Sequence, residues 1–195
     1  TPITFAASAN CAFYCGARPV FADINEETYN IDPENVRRLT TEKTKAVVAV
    51  DFTGQSVELD ALLSHCHEKG ITLIEDGAHV IGTKYKGRCN GSIADMTTLS
   101  FHPVKTVTCG EGGAVLTNDE NLYRKLLLYR AHGITRDPSL MEHEPDGPWY
   151  YEQLTLAMNY RMTDMQAALL ISQLKKLPMF MERRKEIVKR YNEAF

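Results

Sequence analysis

Leu59–Asp76 reads LDALLSHCHEKG-ITLIED, and this stretch decides the fold. Its first part places Leu59, Leu62, Leu63 and Cys66 at helical spacing. Gly70 then stops the helix, because glycine takes the left-handed backbone of a C-terminal cap without a Cβ penalty. Ile71–Glu75 follows as a short apolar run, the form of a strand buried on both faces. A helix leading directly into such a strand is half of a βα repeat, and the same alternation extends in both directions. Further strands are expected at Pro19–Asp23, Ala46–Asp51, Met96–Ser100 and Ala114–Thr117. Asp32-Pro33 supplies an N-cap and a first-turn proline for a helix over Glu34–Leu39. Asn118 is placed to cap a helix over Asp119–His132, with Gly133 as its stop. Thr163 and Gln166 form a capping box for a helix to about Leu177, closed by Pro178. Another helix is expected over Glu182–Phe195. Ile134–Tyr151, rich in Pro, Gly and charge, reads as a long ordered loop. The expected architecture is α/β with a largely parallel sheet.

The bulk properties remove several classes. At 195 residues, with 44% hydrophobic and 24% charged residues, the chain is an ordinary globular sequence. A net charge of −3 gives no basic footprint for nucleic acid. The five cysteines are scattered, form no CxxC pair, and fit a reducing compartment. No apolar run reaches the roughly 18 residues of a membrane span and no signal peptide is visible, so a soluble, cytoplasmic protein is expected. The chain starts Thr-Pro and stops inside a helical pattern, so it is expected to be an internal piece of a longer enzyme. Gly110–Gly113 is not a GxGxxG turn, and no P-loop is present.

Three chemically useful residues fall at expected strand ends. Asp76 follows Ile71–Glu75, Ser100 ends the next strand, and Lys105 lies just beyond it. Ligands of α/β sheets gather beyond the carboxyl ends of strands. An amine there can condense with an aldehyde once partly deprotonated. A carboxylate beneath a pyridine nitrogen keeps that nitrogen protonated, and a hydroxyl at a turn can bind phosphate beside backbone N–H groups. Pyridoxal 5′-phosphate (PLP) would use all three. Taken singly each is weak, since most lysines near turns are solvated and most such Asp and Ser residues serve local backbone.

The run SFHPVKTVTCGEGG (Ser100–Gly113) resembles the DegT/DnrJ/StrS family of PLP-dependent sugar aminotransferases. TPITFAASAN, PVFADINEETYNIDP, EDGAHVIG and NYRMTDMQAALLISQLKKL extend the resemblance, in order, over nearly the whole chain. It implies a three-layer α/β/α large domain of PLP-dependent transferase fold type I over residues 1–178, partial at both ends. Residues 179–195 would begin a helix toward a C-terminal small domain. The resemblance further implies that Lys105 carries the cofactor as a Schiff base and shuttles the proton, Asp76 pairs with the pyridine nitrogen, and Ser100 binds the phosphate. Phe5 matches a ring-stacking position. His79 stands where many members have glutamine, near the cofactor's phenolic oxygen. Asn159 and Arg161 match the stretch that enters the neighbouring subunit's site, which implies a homodimer with shared sites. His132–Pro138 and Gly147–Glu152 resemble the branch serving pseudaminic acid biosynthesis, whose members move an amino group from L-glutamate to carbon 4 of a UDP-linked 4-keto-6-deoxy-N-acetyl sugar.

Two other outcomes compete. The sugar dehydratases of the same family replace the lysine with histidine, so Lys105 argues against that chemistry. Asp76, Ser100 and Lys105 together weigh against a non-catalytic module that keeps only the fold, an alternative that an internal piece of a longer enzyme leaves open. His65-Cys66-His67 looks metal-like but lies on one helix with no second ligand cluster, and neighbouring residues on a helix do not face one ion. Cys109 reads as a small packing residue, and Arg183–Lys185 as a solvated helix face. Trp149-Tyr150-Tyr151 could pack the loop or line a sugar-nucleotide pocket.

Overall fold

The computed structural model describes residues 1–195. Its centre is a four-stranded sheet of β1 (Ala46–Val50), β2 (Thr72–Asp76), β5 (Met96–Ser100) and β6 (Gly113–Leu116), in that spatial order. β1, β2 and β5 run parallel, while β6 returns antiparallel along β5. Two small two-stranded ribbons complete the strands: β3 (Lys84–Tyr85) with β4 (Arg88–Cys89), and β7 (Ile134–Thr135) with β8 (Glu152–Gln153). The α/β architecture with a mostly parallel sheet is the one expected.

The helices are α1 (Ala7–Tyr14), α2 (Pro33–Leu39), α3 (Leu59–Lys69), α4 (Glu120–Arg130), α5 (Asp164–Lys175) and α6 (Leu177–Ala194). α3 ends at Gly70, whose φ of 64° is the left-handed cap. Asp32 caps α2 by accepting from the Glu34 N–H. Thr163 and Gln166 form the reciprocal capping box of α5. α4 is capped one residue later than expected, by Asp119, whose carboxylate accepts from the N–H groups of Asn121 and Leu122. The Asn118 side chain instead donates to the Ser92 carbonyl.

Three expectations need correction. Pro19–Asp23 is not a strand: Val20 and Phe21 are exposed and unpaired, and only an isolated bridge, Ile24 to Ile31, follows. Pro178 does not end a helix but opens one, in the first turn of α6, where its missing N–H costs nothing. α6 therefore begins at Leu177 rather than Glu182. The sheet strands are also buried unequally on their two faces. Val47, Ala49, Leu73, Glu75 and Thr97 share the fully covered face, while Val48, Ile74, Met96 and Thr98 on the other are only half-buried.

The covered face holds the core. Leu59, Leu62 and Cys66 of α3 and Val36 of α2 pack with Ala49 and Leu73 of the sheet, joined by Val57, Ile71 and Tyr85. Leu62 has no solvent exposure. Leu62→Ala should lower the stability of the full chain by about 2–5 kcal/mol, read as a reduced urea midpoint with an unchanged slope. A second cluster of Phe101, Val107 and Cys109, with Leu170, Leu177 and Phe180 against it, anchors the segment after β5 and the α5–α6 pair.

Candidate active site

The carboxyl ends of β1, β2 and β5 lie side by side, with Val50 in register with Asp76 and Asp76 with Thr98. Asp76 is thus delivered to the sheet edge by β2, at the point where its strand gives way to Gly77. A Cβ at Gly77 would stand 2.8 Å from Val80 and 2.9 Å from Thr97, so only glycine lets the chain turn so close to the sheet. The turn brings His79 forward, with the Gly77 N–H held by the Thr98 carbonyl at 2.9 Å.

The carboxylate of Asp76 is oriented from both oxygens. Ser8 Oγ of α1 donates to Oδ2 at 2.6 Å, and the Ala78 N–H reaches Oδ1 at 3.3 Å. Thr4 Oγ1 lies 2.9 Å from Ser8 Oγ. Because Ser8 spends its proton on Asp76, Thr4 is the donor in that pair, giving a relay Thr4–Ser8–Asp76. Nothing in the sequence marked Ser8, which lies 68 positions from its partner.

Lys105 sits on the segment between β5 and β6. That segment is closed by bonds from the Cys109 N–H to the Phe101 carbonyl and from the Phe101 N–H to the Gly112 carbonyl, and pinned by buried Phe101, Val107 and Cys109. Cys109 is therefore the packing residue expected of it. Lys105 Nζ lies 2.8 Å from His79 Nε2. Burial, and then the neighbouring Lys105 cation, hold the His79 imidazole below its usual range, with Asp76 partly opposing them. At neutral pH the ring is therefore uncharged, and its lone pair accepts from the lysine. The resemblance implied a place for His79 near a cofactor's phenolic oxygen; in the structure its direct partner is the Lys105 amine.

Ser100 ends β5, half-buried, and its Oγ accepts from the His102 N–H at 3.4 Å. Phe5 is 81% exposed, its ring free to stack on a planar group. Asn159 and Arg161 are both exposed and do not line the cleft at Lys105. They lie in a stretch with three outward apolar side chains, Leu156, Met158 and Tyr160. The cleft itself, of about 210 Å³, is lined by Thr53, His79, Val104, Lys105, Thr106 and Arg184.

Behind the site lies a second acid pair. Glu75 is fully buried, with Oε1 accepting from Asn90 at 2.8 Å and Oε2 from Thr97 Oγ1 at 2.5 Å and the Gly91 N–H at 3.1 Å. Asp51, at the end of β1, accepts from the Val57 N–H at 2.8 Å through Oδ1, while no donor reaches its buried Oδ2. Burial, then the adjacent Glu75 carboxyl, push the Asp51 carboxyl up to about 8. A proton kept on Asp51 relieves the repulsion from Glu75 that burial leaves unscreened. The folded chain holds this proton where the unfolded chain has released it. The associated stability is therefore complete below the unfolded carboxyl range and lost as pH rises through about 8. Asp51→Asn should flatten this part of the pH dependence, measured as urea midpoints between pH 5 and 8; an unchanged slope would show that Asp51 is ionised throughout.

The metal-like triplet has local partners instead. His65 Nε2 bonds Thr40 Oγ1 at 2.9 Å, His67 Nε2 bonds Asp95 Oδ1 at 2.8 Å, and Cys66 is in the core. Trp149 and Tyr150 meet edge to face, 6.3 Å apart, and Tyr150 donates to Glu152.

Residues 1–195 match the DegT/DnrJ/EryC1/StrS aminotransferase family along their whole length. The chain belongs to that family. As a DegT-family member it is 43% identical to the spore coat polysaccharide biosynthesis protein SpsC of Bacillus subtilis, over all of this chain and 50% of that protein. It is 41% identical to the UDP-4-amino-4,6-dideoxy-N-acetyl-beta-L-altrosamine transaminase of Campylobacter jejuni, again over all of this chain and 50% of that one. Helicobacter pylori PseC, an aminotransferase of pseudoaminic acid biosynthesis, superposes with a TM-score of 0.92 at 36% identity, covering 100% of this chain and 50% of PseC. Spr1654 of Streptococcus pneumoniae in its PLP-form gives 0.87 at 33% identity, over 99% and 52%. The DegT-family fold assigned here is thus the aminotransferase fold expected of the sequence. The chain spans about half the length of the curated relatives it matches.

Proposed function

We propose that this chain forms the cofactor-binding portion of a PLP-dependent nucleotide-sugar aminotransferase. The reading extends to transfer of an amino group from L-glutamate to carbon 4 of a UDP-linked 4-keto-6-deoxy-N-acetyl sugar, in pseudaminic acid or related surface-glycan biosynthesis. The observation that carries it is the Lys105–His79 contact of 2.8 Å, in a cleft beside an Asp76 carboxylate already oriented by Ser8. A carboxylate and a hydroxyl ending the neighbouring parallel strands β2 and β5, with an amine on the segment that follows β5, are the groups PLP requires, so the residues present fit that cofactor.

When bound, PLP supplies an electron sink for the carbon that gains or loses the amino group. The rest is done by side chains. Lys105 holds the cofactor and moves the proton at the reacting carbon, with neutral His79 accepting from its amine between steps. Asp76, kept in place by the Thr4–Ser8 relay, would keep the ring nitrogen protonated. Ser100 would hold the phosphate and Phe5 would pack on the ring. Asn159 and Arg161 serve a neighbouring subunit's site in a homodimer, a role favoured by the outward apolar stretch around them. Residues 1–178 belong to the large domain, and 179–195, within α6, lead toward a small domain. A cytoplasmic location suits a nucleotide-sugar substrate, and no helix is long and apolar enough to cross a membrane.

The test is to incubate the full-length enzyme with PLP, L-glutamate and a panel of UDP- and dTDP-linked 4-keto sugars, with products identified by mass spectrometry and NMR. The reading expects a 4-amino sugar from a UDP-linked substrate. A panel that yields no aminated sugar would contradict it.

A further inference from the structure

The basic run of α6 divides in an informative way. Arg183 pairs with Glu186 at 2.7 Å and Lys185 with Glu182 at 2.7 Å, each along the helix. These two are the solvated face that the sequence suggested. Arg184, between them, has no ion-pair or hydrogen-bond partner, and it lines the Lys105 cleft.

The helix is seated so as to put it there. Met181, three residues before Arg184 and therefore on the same face, packs against Gly82 in the segment that follows His79. A Cβ on Gly82 would come within 3.1 Å of Met181 Sδ, and the glycine's φ of +92° already excludes most other residues. α6 thus rests on the His79 segment through the Met181 side chain, which the bare Gly82 admits, and the next turn carries Arg184 over the cleft.

With Lys105 committed to the cofactor, the cleft's lining leaves one side-chain cation free, Arg184, beside one uncharged imidazole and the hydroxyls of Thr53 and Thr106, and no carboxylate. Such a set selects an anion rich in acceptors. Ser100, to which the aminotransferase reading gives the cofactor phosphate, is not part of this lining. Building on the aminotransferase reading, we propose that Arg184 anchors a substrate oxyanion in the cleft facing Lys105. Two substrates bring that chemistry: the carboxylates of the amino donor and the diphosphate of the sugar nucleotide. The planar guanidinium can hold either through two parallel bonds, which a lysine cannot reproduce.

The experiment uses the full-length holoenzyme and measures binding without turnover. Calorimetric titration with 2-oxoglutarate and, separately, with UDP would compare wild type, Arg184→Gln and Arg184→Lys, alongside KM and kcat for both substrates. Loss of one charge-assisted anchor predicts a dissociation constant and KM weakened about 10–100-fold for the anion concerned, with kcat much less changed and only partial rescue by lysine. Weakening confined to 2-oxoglutarate and glutamate assigns the donor carboxylate. Weakening confined to UDP and the keto-sugar assigns the diphosphate, and weakening of both assigns one subsite used in turn. Wild-type binding with equal affinity in Arg184→Gln would overturn the proposal while leaving the aminotransferase reading intact. Wild-type protein that binds neither anion would instead contradict that reading.

Discussion

Lys105→Ala in the full-length enzyme is expected to abolish the absorbance band near the visible edge that marks PLP held by an amine, and to lower turnover on the order of 10³-fold. Two functions would be lost together, since the proposed function has the same nitrogen attach the cofactor and move the proton. The structure argues that this loss is local. Lys105 belongs to a segment fixed by buried Phe101, Val107 and Cys109 and by backbone bonds at Phe101, none of which involves the lysine side chain. Far-UV circular dichroism and the urea midpoint should therefore stay close to wild type. A variant that keeps its band and its turnover would show that another amine does the chemistry.

Asp76→Asn should separate binding from catalysis. An opposite charge at 4–6 Å shifts a titrating group by about 1–3 units, so removing the carboxylate lowers the proton affinity of the ring nitrogen by about 10–1,000-fold. Turnover should fall accordingly while the cofactor is still retained. The amide keeps an acceptor for Ser8 Oγ, which reaches Oδ2 at 2.6 Å in the wild type, so the local fold should survive. Ser8→Ala is the companion variant: it leaves the charge but removes its orientation, and its loss should be the smaller. Near-wild-type turnover in Asp76→Asn would remove Asp76 from the cofactor's ring nitrogen.

Much of the fold that frames this site is legible in the sequence, for physical reasons that differ by residue. Leu62 and Cys66 announced α3 through helical spacing, and Gly70 its end through backbone freedom. Asp76 and Ser100 were placed by the rule that strand ends gather ligands, and β2 and β5 do end there. The misreadings share a cause: the local signal was real but its tertiary partner was not visible. Val20 and Phe21 have strand-forming side chains but no neighbouring strand to bond. Pro178 is as compatible with opening a helix as with closing one, and the packing of Leu177 and Phe180 decided the matter. Ser8 and Arg184 reach the site from far along the chain, on helices whose spacing alone names no target. Asp51 looked like the last residue of a strand, and only its burial beside Glu75 gives it a proton to keep.

The account rests most heavily on Lys105 being the residue that holds the cofactor. Full-length enzyme loaded with PLP, reduced with sodium borohydride, digested and mapped by mass spectrometry tests this directly. A pyridoxyl mass increment on the peptide containing Lys105 is the predicted result. The increment on another lysine, such as Lys84 or Lys86, or on none, would contradict it.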